Sequence, residues 1–470
     1  MLAYIILSLI LAVAPLVLRS EKATNFVAVL FFAVQVIAIA AILHLGLVDS
    51  VMLSIFRADS TAITFHVLMT AVLGFSLWHS SSYLKAEGTS TRSYKAYYTL
   101  LMLLAVAITC VYYSDNLAMT WVFLEATTIC SAGIIYHREF KQSLEATWKY
   151  VFVCSTGIAM AYLGILLLST VAVEGSLDYD SLSSVIAEGN PLYLKVAFLL
   201  MIVGYSCKME IFPLYTVGVD ANYAAPAPAS AFISTALVNA GFVAIMRIYT
   251  LYSATGEVFE WARHVLLLIG ILSLAVGAMF LRRTNNYKRF LSYSTVENMG
   301  IVAIGMGIGG LALWAAVFHV IAHTFVKSSM FYQAGVMRHI YDSYSINRIG
   351  NYININRVGA IGFIVGTLIL LAFPPSPLFI SEVMIFSEIV SVGSWWLLAL
   401  MLILMCVVIY AIWSRTLRLS YHSNQDTLHL SAVNRRLSYS AAILLVVAIV
   451  LGLWQPDFLK CVIDNIVTIA

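Results

Sequence analysis

Long apolar stretches and short polar ones alternate from Leu2 almost to the end of the chain. Fourteen of the apolar stretches approach the ~20 residues that cross a bilayer as an α-helix. They lie at about 2–18, 25–47, 61–83, 96–114, 117–136, 147–171, 192–214, 227–250, 264–281, 290–308, 311–337, 358–388, 394–414 and 438–457. Within each stretch the apolar residues are continuous and do not alternate with period two, which argues for helices and against a β-barrel. The expected fold is therefore an all-α polytopic membrane protein of about fourteen transmembrane helices. The hydrophilic stretches near 84–95, 174–190, 338–357 and 416–437 read as ordinary loops, so residues 1–470 form one transmembrane domain. Residues 2–18 follow no basic region and precede no small-residue cleavage site, so they read as the first span and not as a signal peptide.

The basic residues give the count an internal test, because Lys and Arg concentrate in loops on the cytoplasmic side. Loops after odd-numbered spans hold eighteen Lys and Arg; those after even-numbered spans, with the C-terminus, hold four, Arg57, Lys195, Arg263 and Lys460. A wrong count would scramble this alternation from the error onward. The asymmetry predicts a plasma-membrane protein with both termini on the outer, periplasmic side.

Composition agrees with the pattern. Hydrophobic residues make up 61% of the chain and charged residues 10%, against roughly 25% charged in a soluble domain. The net charge of +3 gives no reason to expect a nucleic-acid partner. The six cysteines show no CxxC spacing, and all but Cys461 fall in predicted spans. They read as small buried hydrophobes, not as disulfides, a zinc site or an iron–sulfur cluster. No cofactor is expected in this chain, so any redox centre belongs to a partner.

A charge at mid-membrane costs about 3 kcal/mol on insertion scales, so such residues are paired and functional by default. Glu125 stands in "WVFLEATTICSAGII", near the middle of span 5, and needs a partner from another helix or a structural hydrogen bond. Lys208 stands in "LLMIVGYSCKMEIFP", and Pro213 breaks span 7 just beyond it. A broken helix beside a buried lysine can open a polar cavity within the bilayer. In span 11, His319, His323 and Lys327 follow at i, i+4 and i+8 and share a helical face. They suit a proton or water path, satisfied polar packing, or a metal site that lacks an obvious third ligand. In span 12, Pro374, Pro375 and Pro377 make a second break, followed by Glu382 and Glu388. Two breaks five spans apart, each beside a charge, suggest two inverted five-helix repeats, about 96–250 and 264–414. Glu297 and Arg247 fit either a functional or a structural role. Lys149 lies four residues after Glu145 and suits an i, i+4 ion pair at the membrane edge.

This inventory of acids, bases and histidines contains no nucleotide loop, nucleophile triad or metal cage, and it suits protons better than a bulky substrate. A carboxylate near a buried lysine holds it protonated, and weakening the pair lets the proton go. If Glu125 pairs with Lys208, the released proton could pass along His319, His323 and Lys327 to Glu382, driven by change in a neighbouring subunit.

The motifs "KMEIFP", "APAPAS", "KRFLSYSTVENMG", "FHVIAHTFVK" and "FPPSPLFISE", with Glu125, resemble the antiporter-like subunits of respiratory complex I. That family includes Mrp-type cation/proton antiporters and the membrane arms of group 4 energy-converting hydrogenases. The resemblance covers about residues 1–460, and "YSTVEN" with Met299 and Gly300 looks most like hydrogenase-4 and formate-hydrogenlyase membrane components. It implies the inverted repeats and a glutamate–lysine pair at Glu125 and Lys208. It also implies a span 11 motif at His319, His323 and Lys327, and an ionisable group at Glu382. The implied setting is a multi-subunit complex with other membrane subunits as partners, moving protons, or sodium in some members. Iron–sulfur clusters, with nickel–iron in the hydrogenase branch, sit in peripheral redox subunits. Two positions depart from the pattern. Asn239 stands where many relatives carry Lys or His, and the "HTWLPDAH" loop is here "YTVGVDAN", keeping Thr216 and Asp220. Three readings follow: a proton-translocating subunit of a redox-driven complex, part of a sodium/proton antiporter without redox chemistry, and a membrane anchor that has lost transport.

Overall fold

The structure, a computed structural model, describes residues 1–48, 50, 55–172, 175–422 and 435–468, with Arg435 and Arg436 by backbone alone. The polar stretches expected at 174–190 and 416–437 therefore lie partly outside the described residues. Among the described residues there is no β-strand, only isolated bridges such as Phe56 with Ser114 and Asn286 with Ser345.

The chain divides into two compact units, Met1–Val265 with Asn465–Ala470, and Leu266–Asp464. The first contains α1 (Leu2–Val17), α2 (Glu21–His44), α3 (Ser60–Ala86), α4 (Thr91–Tyr113), α5 (Leu117–Ile135), α6 (Lys141–Ser169), α7 (Tyr179–Val185), α8 (Pro191–Met209), α9 (Thr216–Ala224), α10 (Ala227–Phe232) and α11 (Val238–Tyr252). The boundary falls within α12 (Glu257–Arg283). The second contains α13 (Tyr287–Ile308), α14 (Gly310–Tyr341), α15 (Tyr352–Ile355), α16 (Arg357–Leu370), α17 (Pro377–Ser391), α18 (Trp395–Tyr421) and α19 (Arg435–Leu453), and α20 (Asp457–Thr468) closes the chain.

Ten helices among the described residues are long and apolar enough to cross a membrane: α2 to α6, α8, the run through α10 and α11, α12, α14 and α18. The pair α19 and α20, bent by 81°, makes an eleventh candidate. Of the other expected spans, α1 has 16 residues, α16 has 14, and α13 carries Lys288, Arg289 and Glu297. Several expected spans also end differently, with α14 and α18 running on to Tyr341 and Tyr421. The one expected to reach 214 stops at Met209, the one expected over 358–388 is parted into α16 and α17, and the one expected to reach 457 stops at Leu453.

The helix starts follow capping chemistry that the sequence spells out. Ser20 Oγ, Asp59 Oδ1, Ser90 Oγ and Asn116 Oδ1 each accept a backbone N–H of the first turn. Asn190 and Ser376 cap helices whose first residue is a proline, Pro191 and Pro377, where a missing N–H costs nothing. α8 ends because Glu210 takes the left-handed conformation, φ 58°, so the turn closes before Pro213 is reached. The break between α16 and α17 runs over Leu371–Ser376, with Ala372 at φ 50°.

In the first unit α4 and the α10–α11 run are the most enclosed, and α4 alone buries Tyr94, Tyr97, Tyr98, Tyr112 and Tyr113. α6 and α8 meet backbone to backbone at Gly157 and Gly204. A Cβ at Gly204 would touch the Gly157 carbonyl oxygen and come within 2.8 Å of the Ala161 Cβ. Small residues permit such approach where helices associate in lipid. Large apolar side chains remain exposed on the outer helices, among them Phe26, Ile37, Trp395 and Tyr410.

Candidate functional site

In the first unit the close α6–α8 contact brings two charged residues into one cluster. Lys208, in the last turn of α8, is 1% exposed. Its Nζ donates to Thr128 Oγ1 on α5 at 2.8 Å and to Tyr150 OH on α6 at 3.4 Å, and lies 5.3 Å from the Tyr150 ring centre. Thr128 Oγ1 in turn donates to Glu125 Oε2 at 3.2 Å, and Ser155 Oγ donates to Glu125 Oε1 at 2.7 Å. The glutamate and lysine are thus joined through the Thr128 hydroxyl, not by direct contact. A hydroxyl can accept from the ammonium and donate to the carboxylate at once.

The left-handed Glu210 turns its carboxyl into the break beyond Lys208, where Asn222 Nδ2 of α9 donates to Oε1 at 2.9 Å. A Cβ at Gly218 would lie 2.5 Å from Glu210 Cγ, so only glycine leaves room for this side chain. α11 closes over the same place: a Cβ at Gly241 would lie 2.5 Å from the Met209 nitrogen. Asn239 is fully buried on α11, just after a π-helical turn at Ile233–Leu237. Such turns are common at functional sites.

The second unit holds another cluster. Lys327 of α14 is fully buried; its Nζ donates to the Leu291 carbonyl of α13 at 2.8 Å and to Ser294 Oγ. His319, two turns earlier, has Nδ1 at 2.9 Å from Ser381 Oγ on α17 and Nε2 at 3.1 Å from Asn298 Oδ1 on α13. Asn298 Nδ2 donates to Glu297 Oε2 at 2.6 Å and to the Ser294 carbonyl at 2.7 Å. A chain of polar groups thus runs from Lys327 through Ser294 and Asn298 to His319 and Ser381, beside the break before α17. Glu382, next to Ser381, is buried within electrostatic range of Glu297. His323, between His319 and Lys327, is fully buried, and neither ring nitrogen has a partner among the described residues. His319 spends both nitrogens on Ser381 and Asn298, so the two histidines do not form a metal pair. Among the described residues no three His, Cys, Asp or Glu side chains converge to hold a metal ion.

Two candidates lie elsewhere. Lys149 is 54% exposed and pairs with Glu145 at 2.5 Å. Arg247 pairs with Asp59 at 3.0 Å and donates to the Tyr112 carbonyl at 2.7 Å. It belongs to a network in which Arg57 meets Asp115 at 3.1 Å and also Asp180. Burial pushes the Asp115 carboxyl above the ordinary carboxylate range, against the pull of Arg57 and Arg247.

Sequence reasoning missed Thr128, Ser155, Tyr150, Ser294, Asn298 and Ser381, all neutral and none distinctive in pattern. It also missed His66 of α3, which is fully buried between Tyr113 OH at 3.0 Å and Gln35 Oε1 at 3.2 Å. A histidine in an apolar run was the available signal.

The NADH:quinone oxidoreductase/Mrp antiporter transmembrane family matches residues 114–409, well over half of the chain. The chain belongs to this family. All nine site candidates, Glu125, Lys149, Lys208, Asn239, Glu297, His319, His323, Lys327 and Glu382, fall inside the family's span. Among curated relatives, the hydrogenase-4 component F homolog of Methylacidiphilum infernorum (isolate V4) is 29% identical over 71% of this chain and 72% of its own length. Hydrogenase-4 component B of Escherichia coli (strain K12) is 29% identical over 57% of this chain but only 41% of its own length. The fold is also that of a chain in the membrane-bound sulfane sulfur reductase, an archaeal respiratory membrane complex. The two share 19% identity at a TM-score of 0.87, over 99% of this chain and 96% of the other. The protein is an antiporter-like membrane subunit of the family shared by hydrogenase-4, complex I and Mrp assemblies.

Proposed function

We propose that this chain moves protons across the plasma membrane as one subunit of a redox-driven complex of the group 4 hydrogenase or NADH:quinone oxidoreductase type. The observation that carries the reading is the Glu125–Thr128–Lys208 bridge beside a broken helix, with Thr128 and Lys208 buried and Glu125 half-buried. Lys208 is the central proton carrier, and Glu125 holds it charged through the Thr128 hydroxyl. Movement of α5 against α8 breaks the bridge and frees the proton. In the second unit Lys327, Glu297, His319 and Glu382 hold and pass protons. His323, polar and without a partner among the described residues, takes water in a file of this kind. Asn239 contributes a hydrogen bond and no charge, and Lys149 stabilises the membrane edge.

The finer architecture we infer is fourteen spans with both termini outside, and inverted repeats at about 96–250 and 264–414. The charge asymmetry of the loops and the two helix breaks support it. Other membrane subunits flank the chain, and peripheral subunits carry the iron–sulfur and nickel–iron chemistry. The second reading is a subunit of an Mrp-type sodium/proton antiporter without redox chemistry. Its support is that the matching family takes in Mrp antiporters as well as NADH:quinone oxidoreductases.

Lys208→Ala decides whether the site works. The assembly should form normally, and proton transfer in vesicles driven by the complex should be lost. Normal pumping by this variant would overturn the assignment. Proton uptake that follows a sodium gradient, with no redox partner in the purified assembly, would select the second reading.

A further inference from the structure

Outside the polar clusters, the first unit holds a cavity of about 490 Å³. Its walls are Ala28, Val29 and Phe32 of α2, Ala71, Gly74, Phe75 and Trp78 of α3, and Tyr98 of α4. One end is polar, at Asn25 and Ser81. Asn25 starts α2 and Ser81 ends α3, so the two helices run antiparallel and the polar end is a single place. At 1.5 Å per residue, the stretches Asn25–Phe32 and Ala71–Ser81 give an apolar slot roughly 10–15 Å long.

The polar end is cationic. Lys22 lies one turn before Asn25 on α2, and Lys85 one turn after Ser81 on α3. Tyr94 OH donates to Asn25 Oδ1 at 2.7 Å, which brings the start of α4, with Arg92 and Lys95, to the same end. No acid pairs with Lys22, Lys85 or Arg92 among the described residues. Of the nearby acids, Glu87 is taken by Arg138, and Glu21 accepts from Thr91 Oγ1 at 3.4 Å. The amide Nδ2 of Asn25 has no partner among the described residues, because Tyr94 engages only the carbonyl oxygen. Trp78, 53% exposed, flanks the slot as an interfacial aromatic.

We propose that this crevice is a binding site for one anionic glycerophospholipid. An acyl chain fills the slot, and a glycerol ester carbonyl accepts from Asn25 Nδ2. The phosphate lies among Lys22, Lys85 and Arg92. The shape selects a chain and the charge selects an anion, and a bilayer supplies both in one molecule.

The test uses the detergent-extracted complex in nanodiscs with phosphatidylglycerol or phosphatidylcholine, each carrying a diazirine in the acyl chain. After illumination, labelled peptides are mapped by mass spectrometry. The expected label falls within 25–32 and 71–81, with phosphatidylglycerol well above phosphatidylcholine. Lys22→Gln with Lys85→Gln should lower phosphatidylglycerol labelling by about five-fold per lysine and leave phosphatidylcholine labelling unchanged. Ala71→Trp should lower both by filling the slot. If that variant fails to assemble, the lysine pair, both exposed, carries the test alone. Equal labelling by the two lipids would mean annular lipid only and overturn the proposal. So would an unchanged lysine variant, a slot that takes no label because another subunit covers it, or an isoprenoid quinone retained in place of phospholipid.

Discussion

Thr128→Val keeps the shape of the side chain and removes the hydroxyl that joins Lys208 to Glu125. In the native protein Lys208 Nζ has Thr128 Oγ1 at 2.8 Å and Tyr150 OH at 3.4 Å. The variant leaves only the longer contact. A hydrogen bond to a charged group is worth about 1.5–3 kcal/mol, a factor of roughly 10–100 in the population of the bridged state. Glu125 keeps Ser155 Oγ at 2.7 Å, so the carboxylate stays in place while its link to the lysine is lost. Thr128 is buried in α5 and valine has nearly its volume, so the global fold should hold. The assay is proton uptake into proteoliposomes that contain the complex, read by quenching of a pH-sensitive dye, with substrate turnover followed in parallel. The expected result is a drop in proton uptake per turnover of about ten-fold or more, the lower end of that range. Thr128→Ser should recover most of it, because the hydroxyl returns. Wild-type coupling in the valine variant would refute the bridge. A serine variant as impaired as valine would show that shape, not the hydroxyl, matters at this position.

Two further outcomes follow from close packing. Gly204→Ala drives a methyl against the Gly157 carbonyl and the Ala161 Cβ, so α6 and α8 must part. A loss of about 1–3 kcal/mol is expected from overpacking, visible as a lower melting temperature in detergent and less assembled complex. Gly218→Ala pushes against the Glu210 side chain, 2.5 Å from the new methyl. It should destabilise the chain by a similar ~1–3 kcal/mol. Combining it with Glu210→Ala should recover most of that loss, measured as a double-mutant cycle.

The sequence by itself determined the solvent and the class of fold. Continuous apolar runs leave helices as the way to satisfy the backbone in lipid, and the runs fall where the helices stand. Its charges were legible for the same reason. A lysine at position 208 or a glutamate at 125 is conspicuous against an apolar background, because placing it there is costly. The prolines at 213 and 374–377 announced both helix breaks. What the sequence left open is where each break begins. α8 stops at Glu210, whose left-handed turn is held by Asn222 and made possible by Gly218, and neither neighbour is signalled by the local pattern.

The partners of the charges belong to the tertiary structure alone. Thr128, Tyr150, Ser294 and Asn298 look like ordinary residues of apolar helices, and only the crossing of α5, α6 and α8, or of α13 and α14, turns the first three toward a lysine and Asn298 toward His319. Arg247 makes the same point in reverse: it was conspicuous in the sequence, yet it finds its acid away from the buried clusters, at Asp59. Lys149 is the exception, because its partner Glu145 lies four residues away and the pair is legible in the sequence. Hydrophobicity is a property of residues one at a time and can be read along the chain. A hydrogen bond requires two groups within about 3 Å, and for residues 80 apart, such as Thr128 and Lys208, only the packing of helices sets that distance.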